Sequence, residues 1–171
     1  MSFSTLETCT PPHSTQSSMS AAATGRKTIA SGDVQNLLKK QKRHFPRIIS
    51  ELRQCKRKTS HWAWWVWPTE KKGFSEASPK TLVTEEESLT LLQNTDEKLW
   101  TEILKELTHL IKSRDKNRVE IYEIIPSIDH GRIKYFFQFW LERETVYKDA
   151  SEHYPEFTDA IRDLKESMEE M

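Results

Sequence analysis

The stretch Lys58-Thr59-Ser60-His61-Trp62-Ala63-Trp64-Trp65-Val66-Trp67-Pro68 puts four tryptophans within six residues. An indole is large, costly to leave in water, and able to fill a core or stack on a flat ligand. Such density makes this stretch the point around which the rest of the chain must pack. Its pattern does not alternate cleanly. In an extended segment Trp62 and Trp64 would face one side, Trp65 and Trp67 the other. A buried extended stretch and a tight helical turn both satisfy it, and Pro68 closes either one.

Upstream, Val34, Leu37, Leu38, Gln41, Phe45, Ile48, Ile49, Leu52 and Cys55 recur at helical spacing. Asp33 is the expected N-cap. Pro46 cannot donate to the carbonyl of Lys42, yet the apolar stripe keeps its phase across it. One bent helix, or two nearly in line, is therefore expected. Downstream, residues 69–84 read as a loop, and Thr84-Glu85-Glu86-Glu87 forms a capping box ahead of Leu89, Leu91 and Leu92.

Thr95 is placed to cap the next helix, whose stripe is Leu99, Trp100, Ile103, Leu104, Leu107, Leu110 and Ile111. Residues 113–118 form a charged connector, and 119–125 suit either a short strand or a helical turn. Asp129 is the expected cap of a helix carrying Ile133, Phe136, Phe137, Trp140 and Tyr147. Because that helix is apolar round much of its girth, it is expected at the centre of the domain. A last helix begins near Pro155, with Phe157, Ala160, Ile161, Leu164 and Met168 on a narrow stripe.

The sum is an all-α fold: a compact single-domain array of about five to six helices over residues 32–171. Residues 1–31 are expected to be a disordered tail, since 13 of them are Ser or Thr and large apolar side chains are sparse. Hydrophobic content of 36% fits a chain that is only partly folded. The two cysteines, Cys9 and Cys55, read as reduced thiols. With no membrane-length apolar run and no secretory signal pattern, a soluble, cytoplasmic protein is expected, a nuclear or organellar one remaining open.

The tryptophan stretch resembles the family known as domain of unknown function 1810, sometimes labelled calpastatin-like. The pattern is a Lys, a Ser-His-Trp, a second Trp two residues on, a Pro, then a Gly and small hydroxyl residues. It falls on Lys58, Ser60, His61, Trp62, Trp64, Pro68, Gly73, Ser75 and Ser78. The resemblance extends over roughly residues 35–141. Trp67, Thr69 and the segment Phe74-Ser75-Glu76 depart from the pattern, so the chain resembles a divergent member. The family implies an all-helical fold and no established activity, and its label implies no protease inhibition.

The chemistry-bearing residues gather on the same stretch. His61, with Ser60 and Glu76 beside it, is the candidate general acid/base, and Glu76 the candidate carboxylate. The weightier alternative is that its ring satisfies a buried carbonyl or carboxylate and locks the turn. Trp62 and Trp64 could stack a planar group, with Lys58 or Arg132 holding a phosphate or carboxylate. Alternatively these tryptophans are core, although adjacent Trp64 and Trp65 cannot easily both point inward.

Asp129 and Arg132 open a helix that could hold an anion, or form a cap and a surface ion pair. Pro68, Gly73, Ser75 and Ser78 complete the expected lining. No phosphate-binding glycine loop, zinc spacing or nucleophile elbow is present, so no cofactor and no metal is expected. The expected function is binding of a planar or phosphorylated, nucleotide-like small molecule in a Trp/His-lined pocket. A protein-interaction module with surface tryptophans is the alternative.

Single-stranded nucleic acid is a weaker third reading. Nine Lys/Arg lie between Lys39 and Lys58 against the one acid Glu51. Net charge is zero, and residues 141–171 carry ten acids and four bases, enough to neutralise that face if they pack nearby. Nucleic acid is therefore not the expected partner, nor is a membrane.

Overall fold

The computed structural model describes residues 29–71 and 80–170. Among these the fold is all-helical, with six long helices and three single-turn ones. The long helices are α1 (Gly32–Cys55), α3 (Glu85–Asn94), α4 (Glu97–Lys112), α7 (Ser127–Phe137), α8 (Glu144–His153) and α9 (Pro155–Glu169). The single turns are α2 (Ala63–Val66), α5 (Arg114–Asn117) and α6 (Ile121–Ile124). A π turn, Gln138–Glu142, follows α7 directly. The proposed disordered tail lies outside the described residues apart from 29–31, and so do Gly73, Ser75, Glu76 and Ser78.

The centre belongs to α4, not to α7 as its apolar girth suggested. Helix α4 packs most extensively on α9 and next on α1. Its Trp100 is fully buried, with Phe45, Phe136, Trp140 and Phe157 around it at ring-centroid distances of 4.6 to 6.4 Å. Four elements thus meet on one indole. Helix α7 shares its apolar girth with α9 and the π turn, whose Phe139 and Trp140 are buried.

Helix α1 runs unbroken through Pro46, whose ring is exposed, so the lost hydrogen bond falls on the solvent side. Helix α9 has the boundaries and the buried stripe that its periodicity predicts. The capping box of α3 is present: the Glu87 carboxylate accepts from the Thr84 amide (3.4 Å) and hydroxyl (3.2 Å). Glu87 also accepts from the Ser31 amide at 2.7 Å, tying the start of α1 to α3.

Three caps differ from expectation, each because a neighbour takes the position. Ser31 caps α1, accepting from the Val34 amide at 3.3 Å, while Asp33 accepts from the Leu82 amide at 3.1 Å. Asp96 caps α4 through the Leu99 amide (3.0 Å), and Thr95 donates its hydroxyl to Gln41 (2.7 Å). Pro126 stands at the N-cap position of α7, and Asp129 is spent on a longer-range partner described below. The connector 113–118 holds the single turn α5, and 119–125 resolves to the helical turn α6. The apolar phase of α7 continues to Tyr147, but the helix does not: Arg143 is extended (ψ 113°), and α8 begins after it.

Candidate functional site

The tryptophan stretch forms one helical turn, α2, the second of the two conformations its pattern permits. A four-residue helix has nearly all its backbone groups unpaired within itself, so it persists only if others satisfy them. Three side chains serve its carboxyl end. Gln41 donates to the Trp65 carbonyl (2.9 Å), Trp100 Nε1 to that of Val66 (3.0 Å), and Trp140 Nε1 to that of Pro68 (3.3 Å). They come from α1, α4 and the π turn, so the turn is pinned by three elements at once.

The amino end is held by Glu51. Its carboxylate accepts from the amides of Thr59 (2.7 Å) and Ser60 (3.1 Å), from the Ser60 hydroxyl, and from Trp62 Nε1 (2.9 Å). Burial would raise the Glu51 pKa, but the bonds from Ser60, Thr59 and Trp62 outweigh it and hold the carboxyl below its usual value. Lys56 adopts a left-handed conformation (φ 58°) that ends α1 and lets the chain fold back onto Glu51. The Lys58 amide then donates to the Ile124 carbonyl at 2.8 Å, docking the fold-back against α6.

These constraints divide the tryptophans. Trp62 is 1% exposed and Trp67 fully buried, their rings 5.2 Å apart. Trp62 therefore belongs to the core and offers no free face to a ligand, contrary to the stacking role expected of it. Pro68 is likewise buried and its carbonyl is occupied. Ser60 is exposed, but its hydroxyl serves Glu51.

His61 is exposed, so it neither sits in a tryptophan-walled hollow nor locks the turn; Glu51 does the locking. Trp64 and Trp65 remain partly exposed, as adjacent indoles on one turn must. The candidate partners Gly73, Ser75, Glu76 and Ser78 lie outside the described residues.

Four of the expected residues do converge. Lys58 Nζ lies 3.0 Å from Asp129 Oδ2, with side chains only 7% and 13% exposed, in an ion pair without hydrogen-bond alignment. The same ammonium is 5.3 Å from the centre of the Trp62 ring. One turn further along α7, the Arg132 guanidinium carbon lies over the Trp64 ring, 3.8 Å from its centre. Its Nε and Nη2 are buried and have no hydrogen-bond partner among the described residues. Burial lowers the Arg132 pKa to about 10, with Asp129 pulling it back up, so the side chain stays charged at neutral pH. Among the described residues two cations, Lys58 as an ion pair and Arg132 through its field, face the one carboxylate of Asp129, an excess of positive charge with little water around it.

Sequence reading passed over Glu51 and Gln41. Glu51 is the lone acid among nine bases, which was the available signal; Gln41 sits in the apolar stripe, which was the other. Both act on segments far along the chain, which local spacing does not show. Elsewhere, clefts occur between α1 and the α3–α4 junction, beside α4 and the start of α9, and beside the π turn. No three metal-ligating side chains cluster among the described residues, and no described helix is long and apolar enough to cross a membrane.

A helical domain assembled on a clamped tryptophan turn, with a stacked arginine beside it, is the class this architecture defines. The family described as Protein of unknown function (DUF1810) matches residues 31–167, and the chain belongs to that family. No curated protein and no solved structure matches it.

Proposed function

We propose that the cluster of Lys58, Trp64, Asp129 and Arg132 binds a small anionic molecule, most naturally a phosphorylated or nucleotide-like one. The observation that carries this is the Arg132 guanidinium, charged, stacked and poor in water, with two buried N–H groups unmatched. An unmatched buried donor costs about 1–3 kcal/mol, and more when charged. A phosphate or carboxylate oxygen removes that cost and supplies the missing negative charge, and a guanidinium fork suits either. Trp64 provides an aromatic surface beside the anion, and His61 stands exposed just ahead of that turn. Trp62 supports the site from beneath without touching the ligand.

Calorimetry with adenosine and uridine phosphates, nicotinamide dinucleotides and inorganic phosphate tests this. At least one should bind the full chain. Arg132→Ala should then weaken binding at least tenfold, about 1.4 kcal/mol, and Arg132→Lys should restore only part, because a lysine lacks the planar fork. Equal binding to wild type and Arg132→Ala, or no binding by any of these, would remove the proposal. A protein partner is the second reading, now favoured by the exposure of Tyr122 and Ile128 (59% and 83%) and not by the tryptophans.

A further inference from the structure

The outer face of α1 carries a charge that the rest of the fold leaves unanswered. Of the six cations on α1 and the three just after it, Arg53 meets Glu102 and Lys58 meets Asp129. Among the described residues Lys39, Lys40, Lys42, Arg43 and Arg47 have no carboxylate partner, and Lys56 and Arg57 continue the run beyond the helix end. The acidic carboxyl-terminal segment does not neutralise them. Helix α9 packs on α4, α8 and α7, whereas α1 packs on α4, α2 and α3. Glu51, the one acid within the run, is consumed by the amides and the indole of the tryptophan turn.

The free cations are ordered. Lys39, Arg43 and Arg47 are four residues apart and so lie in one row, about 6 Å per step along the axis. That interval is comparable to the spacing of successive phosphates in an extended single strand. Lys40 and His44 form the adjacent row, on the side of Trp65. There the imidazole and the indole are 5.2 Å apart, and Lys40 Nζ is 5.6 Å from the Trp65 ring centre, both rings partly open to solvent. The exposed positions of α1 include no large apolar side chain, since Ile29, Tyr122 and Ile128 all lie elsewhere. A membrane-surface helix needs such residues beside its cations; a nucleic-acid face does not.

We infer that α1 presents a second binding surface, separate from the Arg132 site, for the phosphodiester backbone of single-stranded RNA or DNA. The row Lys39, Arg43 and Arg47 meets successive phosphates, and the Trp65–His44 pair offers ring surface to one base. If the five cations from Lys39 to Arg47 each meet a phosphate, affinity for a single strand falls with a log–log salt slope of about −3.5. That is roughly a hundredfold between about 50 and about 200 mM salt.

Fluorescence anisotropy of the full chain with labelled single-stranded RNA, single-stranded DNA and duplex DNA of one length tests this, with phosphatidylserine vesicles as a fourth arm. The expected result is salt-sensitive binding, tighter for either single strand than for the duplex. It should be lost in the triple variant Lys39→Glu, Arg43→Glu, Arg47→Glu. The milder Lys39→Gln, Arg43→Gln, Arg47→Gln should flatten the salt slope by about 2, with circular dichroism verifying that each variant folds. Absence of binding at low salt, or undiminished binding by the folded glutamine variant, overturns the inference. So does retention on vesicles without retention of oligonucleotide, and a preference for duplex overturns the role of the ring pair.

Discussion

At the scale of single residues, Glu51 has consequences out of proportion to its size. One carboxylate accepts from two amides, a hydroxyl and an indole, all on the segment that folds back from α1. Bonds to a charged acceptor contribute about 1.5–3 kcal/mol each in favourable settings. They are not additive here, because the donors are close together and partly solvated. Glu51→Gln keeps an acceptor oxygen but loses the charge, so a destabilisation of about 1.5 kcal/mol is expected in urea unfolding at neutral pH. Glu51→Ala should cost more, because it strands Trp62 Nε1. A Gln variant as stable as wild type would mean that the fold-back is held by Lys58 and the core alone. The same residue shows where sequence reading stops. The Thr59 and Trp62 donors lie eight and eleven positions further on, and helical periodicity says nothing about a carboxylate that reaches past a helix end.

At the scale of elements, legibility follows the size of the apolar signal. Helices α4 and α9 were readable because their buried residues repeat over several turns with no competing pattern. The caps shifted by one to three residues because serine, threonine and aspartate crowd those junctions, and the choice among them is made by tertiary partners such as Leu82 and Gln41. The break between α7 and α8 left no mark in the stripe, since apolar phase carries through the π turn.

For the candidate site, the sequence names Lys58, Trp64, Asp129 and Arg132, which the fold brings near one another, while Trp62 and Pro68, named with them, are buried. Burial of an indole depends on what packs over it, and the stretch alone does not carry that information. The Lys58–Asp129 pair joins the tryptophan turn to α7 and makes an asymmetric prediction. Asp129→Ala leaves both Lys58 and Arg132 uncompensated, so it should cost about 3–5 kcal/mol, more than Lys58→Met. Combining Lys58→Met with Asp129→Leu should recover part of the loss, giving strong non-additivity in a double-mutant cycle. Equal single-mutant costs that simply add would show that the two charges do not act on each other.

At the scale of the whole molecule, the zero net charge conceals a division. Helix α1 bears the uncompensated cations, and the acids of residues 141–171 lie on elements packed away from it. The shifted titrations follow from this layout and from burial. His44 is pushed below its usual pKa by burial, then by Arg43, Lys40 and Arg47. Burial opposes ionisation of Glu51 and Glu87, but hydrogen bonds win: Ser60, Thr59 and Trp62 lower the first, Ser31 and Thr84 the second.

All three shifts have one sign, because each group holds fewer protons in the folded chain than in the unfolded one at intermediate pH. Stability therefore falls as pH falls. The His44 contribution is whole above its unfolded value of 6.5 and declines below it. The Glu51 and Glu87 contributions are whole above 4.5 and are lost as pH drops through their lower folded values. Urea unfolding followed from neutral to acid pH should show a shallow decline first and a steeper one below about pH 4.5. In His44→Gln the first phase should vanish while the second persists, and in Glu51→Gln the second should shrink. A single acid transition unaltered by either substitution would contradict the assignment, and would place the acid-sensitive groups outside the tryptophan turn and the α1 surface.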